Sequence, residues 1–176
     1  GLGDVYKRQG SEMCIRDRHS DASSSASTSW VTVIRSLKRP NSVALGRKLA
    51  STVAGLMSTK LSGYSGASGG VWTRKYPGYS TLDYYGVIRA AVASGNVQDA
   101  FLIEHGFHTN PNDCAFLDSS ARRAELAAAE AKVIAEHYGL TASDPTAGLP
   151  SYKLGSVSRG DAERVVALAK DMGVPC

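Results

Sequence analysis

Residues 100–111, Ala-Phe-Leu-Ile-Glu-His-Gly-Phe-His-Thr-Asn-Pro, constrain the fold more than any other stretch of this 176-residue chain. The apolar run Ala100-Phe-Leu-Ile103 predicts a buried strand, and it ends in Glu104 just before a glycine turn. A carboxylate buried without a partner is costly. Glu104 is therefore expected either to be paired or to be functional at the rim of a cleft.

The remaining pattern alternates strands with helices. The β-branched run Trp30-Val-Thr-Val-Ile-Arg35 predicts a strand. Asn41-Ser42 can cap a helix in which Val43, Leu45, Leu49, Val53, Leu56 and Met57 recur at helical spacing, closed by the Gly/Ser loop 62–70. Residues 71–79 read as irregular and aromatic, and 85–93 as a buried strand or a short helix. Pro111-Asn-Asp113 can start a helical turn. Ser119 or Ser120 then opens a helix over 121–138, with Leu126, Ala129, Val133, Ile134 and His137 along one stripe and Gly139 as its stop. The fold class that follows is α/β, a mixed, partly parallel sheet flanked by helices, with a short C-terminal strand-helix fragment.

Composition narrows the function classes. A 43% hydrophobic content is enough for a core, and no run of 18 apolar residues is long enough to span a membrane. The net charge of +4 includes no basic cluster beyond Arg35–Arg39 and no aromatic platform, so nucleic acid is not an expected partner. Cys14, Cys114 and Cys176 are odd in number and widely spaced, which makes neither a disulfide framework nor a metal knuckle. Cys114, followed by Ala-Phe-Leu, reads as a packed side chain with no arranged base.

The two ends read differently from the middle. Residues 1–18 follow neither helical nor strand period, and DVYKRQ and SEMCIRDR resemble translated sequencing-adapter sequence, so the native domain is expected over 19–140. Six serines in residues 20–29 predict a solvated loop. Residues 141–150 read as a linker. The piece 151–176, a strand followed by a helix, resembles the opening half of a SPOR-like wall-binding module and is too short to bury a core alone.

Four histidines are present. His137 falls in the last turn of a helix, where a positive charge favours the dipole, and reads as structural. His19 stands where the serine-rich loop begins, in His19-Ser-Asp-Ala22. Taken with Phe101-Leu-Ile-Glu104-His-Gly-Phe107-His-Thr-Asn110-Pro111, that segment resembles the H-x-N/D-A and closing signatures of zinc-dependent N-acetylmuramoyl-L-alanine amidases. Tyr84-Tyr-Gly-Val-Ile-Arg89 resembles the stretch before the closing signature, and residues 42–56 the helix after the third ligand.

The resemblance implies that His19 is the last of three zinc ligands and Glu104 the general base. The chemistry accounts for these residue types: neutral imidazole binds Zn²⁺, whose open position holds a water of lowered pKa, and a nearby carboxylate takes the water proton. Asn110 is expected to fix the turn that aims Glu104, and a contact with substrate or with the ligands is open for His105 and His108. The implied substrate is the amide between N-acetylmuramic acid and L-alanine of peptidoglycan, acted on outside the cell or in its wall by a monomer. The family's first zinc His, in a D-x-G-H-G turn, and its Glu ligand precede the His19 position, where this chain has only GLGDVYKRQGSEMCIRDR. The expectation is an amidase fragment that is inactive for want of two ligands.

Two rivals are on the table. Gly66-Ala-Ser68-Gly-Gly70 matches the serine-hydrolase G-x-S-x-G but lacks the apolar strand before it and the helix after it. The other is a non-catalytic protein that binds cell-wall glycan.

Overall fold

The computed structural model describes residues 13–95 and 97–139. The expected linker 141–150 and strand-helix piece 151–176 lie outside the described residues, as do residues 1–12.

A five-stranded mixed sheet forms the centre: β1 (Met13–Asp21), β2 (Trp30–Arg35), β3 (Lys60–Leu61), β4 (Val71–Trp72) and β5 (Val97–Phe107). The order is β1-β5-β2-β3, with β4 also pairing β2; β1 runs parallel to β5, β2 antiparallel to β5, and β3 and β4 parallel to β2. Four helices flank the sheet among the described residues: α1 (Val43–Met57) after a 3-10 turn at Pro40–Ser42, α2 (Gly86–Ala93), α3 (Pro111–Asp118) and α4 (Ser120–His137). No described helix is long and apolar enough to cross a membrane.

Alternation along the two central strands sorts their side chains onto two faces. Val31 and Val33 of β2 with Phe101 and Ile103 of β5 meet Leu45, Leu49 and Val53 of α1 and Leu126 and Val133 of α4. Each such side chain, fully buried, contributes about 1.5–3 kcal/mol. On the opposite face Ile34 and Leu102 are covered by Ile88 of α2, with Trp72 and Tyr85 beside them. Glycine lets α1 settle closely on the sheet: a Cβ at Gly46 would lie 3.0 Å from Val71 and 3.3 Å from Phe101.

The strand Trp30–Arg35, the helix ending at Met57 and the helix stop at Gly139 fall where the periodicity places them. Residues 86–93, open between strand and helix, are helical. Ser42 occupies the N-cap of α1 without a side-chain capping bond. Two differences bear on function. Strand β5 does not stop at Glu104 but runs to Phe107, and His19 lies inside a strand that starts at Met13, not at the start of a loop. The parallel ladder is built from backbone groups, which explains why a segment without strand periodicity can still extend β1.

Past Glu104 the ladder carries one extra residue. His19 pairs with Glu104 and Asp21 with Phe107, so two steps on β1 match three on β5. The slack is taken up at Gly106, whose φ is +70°. A Cβ there would sit 2.6 Å from Asp113 Oδ2 and 3.0 Å from the Met57 methyl. Gly106→Ala is expected to lower stability by about 2–3 kcal/mol, from left-handed backbone strain plus displacement of Asp113. In urea denaturation Gly66→Ala is the matched control, since Gly66 also has positive φ (+82°) but an added Cβ meets nothing within 4 Å.

Candidate active site

Register sets the geometry. Thr32 of β2, Glu104 of β5 and His19 of β1 lie side by side across the sheet, Glu104 facing His19 in the parallel ladder and Thr32 in the antiparallel one. Residues so paired share a face, roughly 4.8 Å apart from strand to strand. Glu104 is buried (7% exposed), His19 is exposed, and the Thr32 hydroxyl is fully buried with no hydrogen-bond partner among the described residues. The position next to Glu104 on its own face is held by Leu102 under α2, so the carboxyl stands just beyond the end of the helix-covered core.

The turn after Glu104 is tied to the loop after His19. The His108 N–H donates to the Asp21 carbonyl (2.9 Å), the Ser23 N–H to Thr109 Oγ1 (3.0 Å), and Asn110 Nδ2 to the Ala26 carbonyl (3.0 Å). Asn110 also caps α3 by accepting from the Asn112 and Asp113 N–H groups, the turn-fixing part that its place before Pro111 suggests. Asp113, buried, accepts from the Phe107 N–H (2.8 Å) and the Ser29 hydroxyl (2.9 Å). Its contact through Phe107 holds the segment that follows Glu104.

An aromatic wall bounds the same side of the sheet. Tyr64 stacks on Trp72 with centroids 4.5 Å apart, and its hydroxyl donates to Asp21, two residues after His19. Burial, then that hydrogen bond, pushes the Tyr64 phenol well above its ordinary value, so it stays a protonated donor. Tyr85 is raised as well, by burial, against the opposing pull of Arg74. Both phenols feel the negative charge of Glu104 and of Asp21, which places the four groups in one electrostatic neighbourhood. Sequence reasoning did not single out Tyr64 or Arg74, for which aromatic density in irregular segments was the only signal; Tyr85 lay in the Tyr84–Arg89 stretch of the resemblance, without a role of its own.

His105, the next residue, points the other way. It is buried on the α4 side, its Nε2 2.7 Å from Glu130 Oε1 and its Nδ1 3.2 Å from the His19 carbonyl oxygen. His108 Nδ1 lies 3.3 Å from the Ser20 hydroxyl. Both histidines, with His19, Leu117, Arg123 and Leu126, line a cavity of about 520 Å³. Glu104 is not among the residues that line it. Ser68 accepts from Arg47 (2.9 Å) in a turn flanked by glycines of positive φ, with no strand-to-helix elbow. Cys114 is a free thiol half-buried in α3, its sulfur 3.8 Å from Asp118.

Among the described residues no group of three or more His, Cys, Asp or Glu side chains is placed to hold a metal ion. His19 and Glu104 are neighbours, but a catalytic zinc takes three protein ligands and keeps a fourth position for water. The described residues by themselves do not make up a zinc centre.

No protein-family model matches the chain, and no curated protein matches its sequence. Solved structures do match its fold. The CwlD amidase from Clostridioides difficile, solved in complex with the GerS lipoprotein, is 15% identical with a TM-score of 0.53, over 73% of this chain and 55% of that one. The N-acetylmuramyl-L-alanine amidase Ami1 from Mycobacterium smegmatis is 19% identical with a TM-score of 0.52, over 79% of this chain and 59% of that one. The N-acetylmuramoyl-L-alanine amidase AmiC2 of Nostoc punctiforme gives 16% and 0.50, over 77% and 63%. The fold is the one these amidases share, and the chain spans between 55% and 63% of their lengths.

Proposed function

We propose that this chain, which has the fold of the N-acetylmuramoyl-L-alanine amidases, carries the general-base side of such an active site. The reaction is hydrolysis of the amide between N-acetylmuramic acid and L-alanine in peptidoglycan, outside the cell or in its wall. The observation that carries this reading is the register of β1 on β5, which sets buried Glu104 beside exposed His19 on one face, at an aromatic wall. In this reading Glu104 accepts the proton of the attacking water and returns it to the leaving amine. His19 supplies one imidazole to a zinc ion whose other ligands are not among the described residues. Zinc, when bound, lowers the pKa of the water and polarises the scissile carbonyl. The chain as it stands is then expected to be inactive. Glycan binding without hydrolysis is the second reading, favoured by the exposed rings of Tyr76 and Tyr79.

Zinc stoichiometry and clearing of purified cell wall, measured on this chain and on the same protein extended upstream in its native reading frame, test both. Only the extended protein is expected to hold one zinc and clear the wall. Stoichiometric zinc in the present chain would overturn the ligand assignment. An extended protein that is retained on wall but releases no peptide would favour the glycan binder.

A further inference from the structure

The described arginines differ in how their donors are spent. Arg35, Arg39, Arg89 and Arg123 donate to backbone carbonyls, Arg47 to the Ser68 hydroxyl and Arg122 to the Glu125 carboxylate. Arg74 does none of these. Among the described residues its single side-chain hydrogen bond is a long one, 3.4 Å, from Nη1 to the Tyr85 hydroxyl, and no carboxylate lies within ion-pair distance of it. It is nevertheless held in place, with its guanidinium carbon 3.8 Å from the Tyr84 ring centroid and 5.9 Å from that of Tyr85.

The frame around it is itself fixed. Tyr84 N–H donates to the Arg74 carbonyl (2.9 Å), closing the loop on itself. Arg89 donates to the carbonyls of Asp83 (2.8 Å) and Tyr84 (2.6 Å), pinning the segment from below. Tyr85 packs with Trp72 against the Ile34–Leu102–Ile88 cluster, on the Glu104 face of the sheet. An exposed, oriented guanidinium with most of its five donors uncommitted is a receptor for a planar anion.

We propose that Arg74 recognises a carboxylate carried by the substrate, forming with Tyr84 and Tyr85 an anion subsite on the same face as Glu104. The ligand class is an acyl-peptide with a free carboxylate, and the proposal rests on the amidase reading for the identity of that peptide. The stacked arrangement favours two parallel N–H···O bonds to one carboxylate and disfavours a neutral amide, which offers a single acceptor and no charge.

The test is a binding measurement that needs no turnover. N-acetylmuramoyl-L-alanine, as the free acid and as its C-terminal amide, is titrated into the full chain and into Arg74→Gln, read by calorimetry and by the NMR shifts of the tyrosine ring protons. The unsubstituted chain is expected to bind the acid about tenfold more tightly than the amide, with shifts at Tyr84 and Tyr85, and Arg74→Gln to abolish the difference. Arg74 is exposed, so the variant is expected to fold, and its unchanged tyrosine ring spectrum without ligand verifies this. Equal binding of acid and amide, no saturable binding of either, or an acid preference that survives Arg74→Gln would each overturn the proposal. An acid preference that depends on Arg74, found alongside an upstream-extended protein that never clears cell wall, would support the subsite while sinking the amidase reading.

Discussion

His105→Ala is expected to cost about 3 kcal/mol of folding stability, from a buried carboxylate that loses a hydrogen-bonding partner and from the space the ring vacates. Glu130 is completely buried, and the imidazole 2.7 Å from its Oε1 is 5% exposed. Truncation withdraws that partner from a carboxylate that water cannot reach and leaves a void between β5 and α4. The second ring nitrogen faces the His19 carbonyl, so the loss also frees the backbone of β1 at the position expected to hold metal. Urea denaturation measures the effect as a lower midpoint with an unchanged slope. A double replacement, His105→Leu with Glu130→Leu, is expected to recover most of it, because two apolar side chains of similar size then fill the site with no polar group left short of a hydrogen bond. A single variant within about 1 kcal/mol of the parent would show that the pair is relaxed by other groups.

Glu104→Gln is expected to slow wall-amide hydrolysis by about 10²- to 10⁴-fold in the upstream-extended protein, the usual contribution of a positioned general base. Glutamine keeps the size and a hydrogen-bonding oxygen but cannot take up a proton. Its neighbours Thr32 and His19 are set by backbone pairing, so the sheet is expected to survive the change. Zinc stoichiometry, measured alongside, is expected to stay the same, which separates a lost base from a lost ligand. Full activity in Glu104→Gln would move the base to another group and end the assignment.

The parts of this molecule legible in sequence are those with a period. Trp30–Arg35 and Val43–Met57 announce themselves by β-branching and by three- and four-residue spacing, and both occur as read. Glu104 was legible as an anomaly, a carboxylate on an apolar strand. Glu130 carried the same kind of signal, since it stands four residues after Leu126 and three before Val133 on the buried stripe of α4, yet a helix rich in Ala and Glu hides one more Glu. Partnership is another matter. That His105 would turn to Glu130 while Glu104 faces His19 and Thr32 follows from alternation plus a register that no local pattern encodes. Tyr64, Arg74 and Tyr85 come from irregular segments, where position depends on packing over the sheet and not on spacing along the chain.

Glu104 meets its two neighbours through main-chain ladders of opposite sense, one parallel and one antiparallel. Such a junction is inherited as geometry. Side chains on the flanking strands can drift through many generations without shifting which residues stand abreast, because peptide groups alone keep the count. That is consistent with a fold still recognisable against amidases at 15–19% identity. It also means that an insertion or deletion of one residue in β1 or β5 is the heritable change this arrangement tolerates least: it would turn the carboxyl away from the imidazole in a single step.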